Sequence, residues 1–178
     1  ANTVHALSAD DGQSLWSYTA GGSVDSPPTV HRGCVLFGSA DGHVYCLCAS
    51  DGQLVWRFRA GPEDRRVIAY GSLESAWPVH GSVLVDDGIA YFAAGRSSFL
   101  DGGIFLFGLD PLSGEIVHQG RLSGRDPDTG EQPKAAIKGF DMPSGLPHVL
   151  VSDGQFLYMG DLKYDRQLVQ QSEPGWHL

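Results

Sequence analysis

The chain repeats itself, and that repeat limits its fold more than any other feature. Val4–Gly21, VHALSADDGQSLWSYTAG, returns as Val44–Gly61, VYCLCASDGQLVWRFRAG, at a constant offset of 40 residues. Val4/Val44, Leu7/Leu47, Gly12/Gly52, Trp16/Trp56 and Gly21/Gly61 coincide without a gap. A weaker third copy, Leu106–Gly124, lies 62 residues further on, with Gly114 and His118 in the places of Gly52 and Trp56. Self-similarity at about 40 residues belongs to propellers and solenoids rather than to a domain with one core.

Each copy is two apolar runs around a polar turn that contains glycine. In the second copy Val44, Tyr45 and Leu47 precede Ala49-Ser50-Asp51-Gly52, and Leu54, Val55, Trp56 and Phe58 follow. Strand-forming residues on both sides of an Asp-Gly turn predict a β-hairpin. Trp16 and Trp56 fall four residues after the turn glycine. A side chain that large on the outgoing strand is expected to wedge one sheet against the next.

The pattern Ala-x-Asp-x-x-x-Gly-x-x-x-Trp resembles the tryptophan-docking motif of the PQQ-like, or quinoprotein-type, β-propellers. The chain offers Ala6, Ser8, Gly12 and Trp16, then Cys46, Cys48, Gly52 and Trp56, then Gly108, Asp110, Gly114 and His118. The match is good at Gly and Trp and degraded at the Ala and Asp positions. The resemblance covers about residues 3–165. It implies an all-β chain, a β-propeller of the PQQ-like type with about three and a half to four four-stranded blades in an incomplete ring. For activity it is unspecific, since such repeats serve dehydrogenases and membrane-protein assembly factors alike.

Taken in order, residues 1–178 read as a single partial propeller: a half blade over 1–21, a blade over 22–61, a blade with inserted loops over 62–122, and a polar loop with a last incomplete blade over 123–178. Ser26–Val30 is expected as one inner strand, followed by Cys34–Ser39. Ser75–Val79 is expected as the next inner strand, before Val83–Val85, the Asp87-Gly88 turn, Ile89–Ala94 and the hairpin Ile104–Gln119. Ser123–Lys138 reads as a polar loop. The last blade is expected to open near Asp141–Ser144 and to end in a poor hairpin copy, Asp161–Val169, without a tryptophan. An open arc leaves apolar faces and unpaired edges in water. The chain is therefore read as a fragment of a longer propeller, whose missing blades cover those faces, or as half of a homodimer that completes the ring.

Composition narrows the partners. With 24 Gly and 10 Pro and no sustained 3.6-residue apolar period, a helical protein is excluded. A net charge of −9 argues against nucleic acid. No run approaches the ~18 apolar residues of a membrane helix. No leader opens the chain, so any signal peptide was removed or lay upstream; the resemblance implies a periplasmic or extracellular site. The three cysteines, Cys34, Cys46 and Cys48, read as buried thiols. A bridge between Cys46 and Cys48, two apart on one strand, would be strained, and no disulfide framework is indicated.

Repeat proteins usually put function into the loops that break the repeat. Two inserts, Pro62–Glu74 and Gly95–Gly103, take up the excess of 22 residues in the third copy's spacing, 62 − 40. They flank neighbouring strands and are expected to meet at one end of the ring. Arg65, Arg66, Tyr70, Glu74 and Trp77 come from the first; Arg96, Ser97, Ser98 and Asp101 come from the second. Arginines beside hydroxyls suit a carboxylate, a phosphate or an acidic sugar, and Trp77 suits a sugar ring or a quinone. The competing reading pairs Arg65 with Glu63 or Asp64, pairs Arg96 with Asp101, and puts Trp77 in the core.

No metal site is read from the seven histidines, which show no i, i+2 or i, i+4 pair. Calcium in the 123–131 loop stays an open reading, although DPDTGE at 126–131 lacks full EF-hand spacing. A quinoprotein dehydrogenase would use adjacent cysteines, a tryptophan platform and calcium held by Glu, Asn and Asp. No two cysteines are adjacent here, and Asn occurs only at position 2. No cofactor is therefore expected, and PQQ with calcium would belong only to a longer parent protein. The leading reading is a non-catalytic binding or scaffold module that meets a protein or glycan through loops 62–77 and 95–103. The alternatives are a fragment of a quinoprotein-type oxidoreductase or sugar-active enzyme, and a purely architectural piece.

Overall fold

The structure, a computed structural model, describes residues 1–69, 71–125, 129, 131 and 149–171. Among them every regular element is a strand, and every pairing is antiparallel. The first sheet is a hairpin of β1 (Thr3–Leu7) and β2 (Ser14–Thr19). The second has four strands in sequence order: β3 (Thr29–His31), β4 (Cys34–Gly38), β5 (His43–Cys48) and β6 (Leu54–Arg59). A separate two-stranded hairpin follows, β7 (Arg66–Ala69) with β8 (Ser72–Ser75). The next four-stranded sheet is β9 (Leu84–Asp86), β10 (Ile89–Ala94), β11 (Ile104–Leu109) and β12 (Ile116–Leu122). The last described sheet is β13 (Leu150–Ser152), β14 (Leu157–Met159) and β15 (Leu162–Tyr164).

The sheets stack face to face, and side-chain alternation decides which neighbour each residue meets. From the second sheet, Val35, Phe37, Tyr45 and Leu47 join Val4 and Ala20 of the first. Their alternates, Leu36, Val44 and Cys46, join Ala90, Phe92 and Phe107 of the next four-stranded sheet. That sheet turns its other face, Tyr91, Ala93, Ile104 and Leu106, to Leu150, Leu157, Met159 and Tyr164. Strands β4, β5, β10 and β11 lie between two neighbours and are apolar on both faces. The outer strands β2 and β6 alternate between exposed and half-buried residues.

The inner strands also touch side by side. Thr29 Oγ1 donates to the Val83 carbonyl at 2.5 Å, and Ser152 Oγ donates to Asp86 Oδ2 at 2.9 Å. Four stacked sheets, three of which bring their first strands β3, β9 and β13 side by side, form part of a β-propeller.

Two strand assignments differ from the sequence reading. The inner strand of the third sheet is Leu84–Asp86, not Ser75–Val79. The Asp87-Gly88 turn, with φ of 48° and 76°, folds the chain directly from β9 into β10 and sets the register Asp86↔Ile89. Pro78 has no N–H to offer a ladder, and Ser72–Ser75 pairs instead with Arg66–Ala69 inside a stretch read as loop. Similarly β3 begins after Pro27 and Pro28 and runs to His31, one residue past the expected Ser26–Val30. The expected opening of the last blade at Asp141–Ser144 and most of the 123–138 insert lie outside the described residues.

Candidate functional site

The two inserts come together, and named contacts join them. Arg65 Nη2 lies 2.6 Å from Asp101 Oδ1, and its Nε lies 3.2 Å from Glu63 Oε1. Arg96 Nη2 donates to Glu74 Oε2 at 2.8 Å and to the Ser75 carbonyl at 2.9 Å. Arg66 stays with its own neighbour, its Nε 3.7 Å from Asp64. Arg65 therefore keeps its expected partner Glu63 and adds Asp101, whereas Arg96, expected to pair with Asp101, takes Glu74 instead. Ser97 Oγ accepts from the Phe99 amide at 3.3 Å, a local loop contact. Tyr70 lies outside the described residues.

Trp77 is the mechanical centre of the cluster. It is 2% exposed and its Nε1 donates to the Asp101 carbonyl at 2.8 Å, so it ties the first insert to the second. Gly61 makes room for it: a Cβ there would stand 2.7 Å from Trp77 Cε3. The Arg65 guanidinium lies over the indole, 4.9 Å from its centroid, and Phe105 meets it edge-on at 81°. Arg121 covers Phe105 at 5.4 Å and donates its Nε to the Gly102 carbonyl. Two arginines thus flank a pair of edge-to-face aromatic rings, Arg65 on Trp77 and Arg121 on Phe105, and the contacts hold Asp101–Gly103 in place.

Asp25 and His80 belong to the site and were not singled out from sequence. His80 Nδ1 is 2.6 Å from Asp25 Oδ2, and its Nε2 is 3.8 Å from Glu74 Oε2. The Ser26 hydroxyl donates to the His80 carbonyl. Asp25, His80, Glu74 and Arg96 form one chain of charge at the approach to β3 and β9. Glu74 and Arg96 are nearly buried, a costly arrangement unless both ions are paired, as they are.

Chemically, the cluster is a set of ion pairs, with the buried Arg96 Nε left without a hydrogen-bond partner among the described residues. Among the described residues no group of three or more His, Cys, Asp or Glu could hold a metal ion. The buried Trp77 has no free ring face for a quinone, and Cys46 and Cys48 are two residues apart.

Four stacked antiparallel sheets with inserted loops define a partial repeat propeller. The family described as outer membrane protein assembly factor BamB matches residues 1–133, and the chain belongs to this family of PQQ-like propeller repeats. No curated protein sequence matches. Among solved structures, quinohemoprotein alcohol dehydrogenase from Comamonas testosteroni aligns with a TM-score of 0.64 at 16% identity, over 99% of this chain and 32% of that one. The quinohemoprotein alcohol dehydrogenase ADHIIG of Pseudomonas putida HK5 aligns at 0.57 and 20% identity, over 74% of this chain and 19% of that one. A europium-containing methanol dehydrogenase aligns at 0.54 and 15% identity, over 92% of this chain and 30% of that one. At such identities the likeness shows the fold alone. The chain spans 32% or less of the length of these enzymes. Among the described residues no helix is long and apolar enough to cross a membrane.

Proposed function

We propose that the chain is a non-catalytic binding and scaffold module whose protein partner meets the inserts at 62–77 and 95–103. One observation carries the reading: the inserts are locked to each other through their own charges while Ile68, Leu73 and Leu100 face outward. Arg65 and Arg96 are paired internally, so neither offers an open fork to a carboxylate or phosphate. Ile68 and Leu73 are direct cross-strand partners at 83% and 59% exposure, and Leu100 on the second insert is 52% exposed. A firm loop base presenting aliphatic side chains suits a protein surface. The family's description as an assembly factor supports a binding role, and with it an extracytoplasmic site.

The module works without PQQ or calcium of its own. Its two-stranded first sheet, beside sheets of four, is completed by further blades of a parent chain or by a second copy. Light scattering tests the second copy: a species near twice 19.1 kDa supports it, and a monomer excludes it.

The binding reading is tested by photo-crosslinking in the parent protein in its host. A crosslinking residue at Ile68 or Leu100 is expected to trap a discrete protein adduct, and one at exposed Leu15 on β2 is not. Equal yields at all three positions, or none at any, overturn the reading. Alcohol oxidation that depends on added PQQ and calcium, and is lost on changing Glu74, would establish the oxidoreductase alternative instead.

A further inference from the structure

The three cysteines lie on one face of the second sheet, where the strand register sorts them. Cys34 on β4 stands directly opposite Cys48 on β5, whereas Cys46 stands opposite Leu36. The ladder shows which kind of pair each is. The Ala49 amide donates to the Gly33 carbonyl at 2.8 Å, and the Ser39 amide donates to the His43 carbonyl at 3.0 Å. Odd-numbered residues of this pair of strands therefore exchange the hydrogen bonds. Cys34 and Cys48 occupy a non-hydrogen-bonded position, where opposing Cα atoms approach to about 4.5 Å and side chains lie closest. A disulfide spans Cα separations of about 4.4–6.8 Å. The Cys34 and Cys46 thiols lie side by side across the diagonal, but the Cα atoms of such a pair stand about 7–8 Å apart in a regular ladder, beyond that span.

We propose that Cys34 and Cys48 are an oxidisable pair that closes a cross-strand disulfide and leaves Cys46 as a thiol. The exposures suit the roles. Cys48 is half-exposed, not buried as the sequence reading had it, with its Sγ 3.2 Å from Ser50 Oγ, so an oxidant reaches it first. Cys46 is fully buried and its thiol donates to the Pro111 carbonyl at 3.8 Å. Burial, with the Cys34 thiol beside it, pushes Cys46 up to about 12, which keeps it protonated and unreactive.

The oxidant is a low-molecular-weight disulfide such as oxidised glutathione. The Cys48 thiolate attacks one of its sulfurs, forms a mixed disulfide and expels one glutathione thiolate. The Cys34 thiolate then attacks Cys48 Sγ, breaks the mixed disulfide and expels the second. Two cysteine thiols are oxidised, one glutathione disulfide is reduced to two thiols, and the two cysteine protons pass to the departing thiolates.

The test is a thiol count in denaturant before and after incubation of the chain with oxidised glutathione. Three thiols are expected before and one after, with the surviving thiol at Cys46 on alkylation and mass mapping. Cleavage before Asp41 separates Cys34 from Cys48 in sequence, so their peptides stay joined until reduction. Cys46→Ala should still lose two thiols, and Cys48→Ala should keep both of its own. Retention of all three thiols in the wild type, or a mapped bond that includes Cys46, overturns the proposal. The wild-type mapping decides the matter even if a variant does not fold.

Discussion

The indole nitrogen of Trp56 donates to the carbonyl of Pro111, 55 residues further along the chain, at 3.1 Å. Trp16 makes the same contact one sheet earlier, to the Ala49 carbonyl at 2.9 Å. Ala49 and Pro111 each lie three residues before a turn glycine, Gly52 and Gly114, and each tryptophan ring packs on that glycine. The two bonds tie the outer strand of one sheet to the outer turn of the next. Trp16→Ala and Trp56→Ala should each cost roughly 3–5 kcal/mol, the scale for truncating a packed tryptophan. Urea denaturation measures this, and a loss under about 1 kcal/mol for both would remove these contacts from the account of how the sheets hold together.

Gly12 and Gly52 provide a sharper comparison. Both have φ of +72°, so alanine is strained equally at either position. A Cβ at Gly52 would lie 2.6 Å from Trp16 Cδ2, whereas one at Gly12 meets nothing within 4 Å. Gly12→Ala should cost the backbone term alone, about 1–2 kcal/mol. Gly52→Ala should cost clearly more, and the excess should vanish in a Trp16→Ala background. An excess that persists there would mean that the ring is not what excludes the methyl.

Arg96 and Arg66 separate structural from superficial charge within the inserts. Glu74 and Arg96 have side-chain exposures of 8% and 16%, so Arg96→Ala leaves a buried carboxylate with only His80, 3.8 Å away, beside it. That should destabilise by roughly 3 kcal/mol. Arg66, about half exposed beside Asp64, should lose under about 0.5 kcal/mol. Denaturant midpoints for the two variants, with Arg96→Lys as a partial rescue, measure the difference. An enzyme reading in which Arg96→Ala spares folding and removes only activity conflicts with this burial.

Much of the architecture was legible because the repeat is written in residues whose geometry is local. An Asp-Gly turn, alternating apolar strands and a tryptophan four residues on specify a hairpin wherever they occur. The β7–β8 hairpin escaped because its strands are four residues each and its apolar residues Ile68 and Leu73 point to solvent, so no buried period marks them. Ser75–Val79 misled because Ala76, Trp77 and Val79 are buried in the core between the two four-stranded sheets without forming a ladder strand there. At the site, the meeting of the two inserts followed from their flanking strands. The Asp25–His80 contact did not, since it joins residues 55 apart that only the convergence of β3 and β9 brings together. The choice of Asp101 for Arg65 likewise depends on Trp77, which draws the Asp101 backbone inward.

Alkaline pH should weaken the fold, and Tyr164 should report how. Burial pushes Tyr164 up to about 12. Burial, then the hydrogen bond to Asp41, does the same for Tyr45, and burial does so for Cys46. Unfolded, tyrosine titrates near ~10 and cysteine near ~8.5. Between those values and about 12 the unfolded chain releases protons that the folded chain keeps, so stability falls as pH rises. The contribution is intact below the unfolded values and lost on approach to the folded ones. Tyr164 Oη has no hydrogen-bond partner among the described residues. Tyr164→Phe should therefore leave stability at pH 7 unchanged or raised by up to about 1 kcal/mol, and should lessen the decline at high pH. Tyr45 is different, because its hydroxyl donates to Asp41 and accepts from the Gly21 amide at 3.3 Å. Tyr45→Phe should destabilise already at pH 7. Urea midpoints from pH 7 to 11 for the wild type and both variants measure this. An alkaline decline equally steep with and without the Tyr164 hydroxyl would mean that its titration is not coupled to folding.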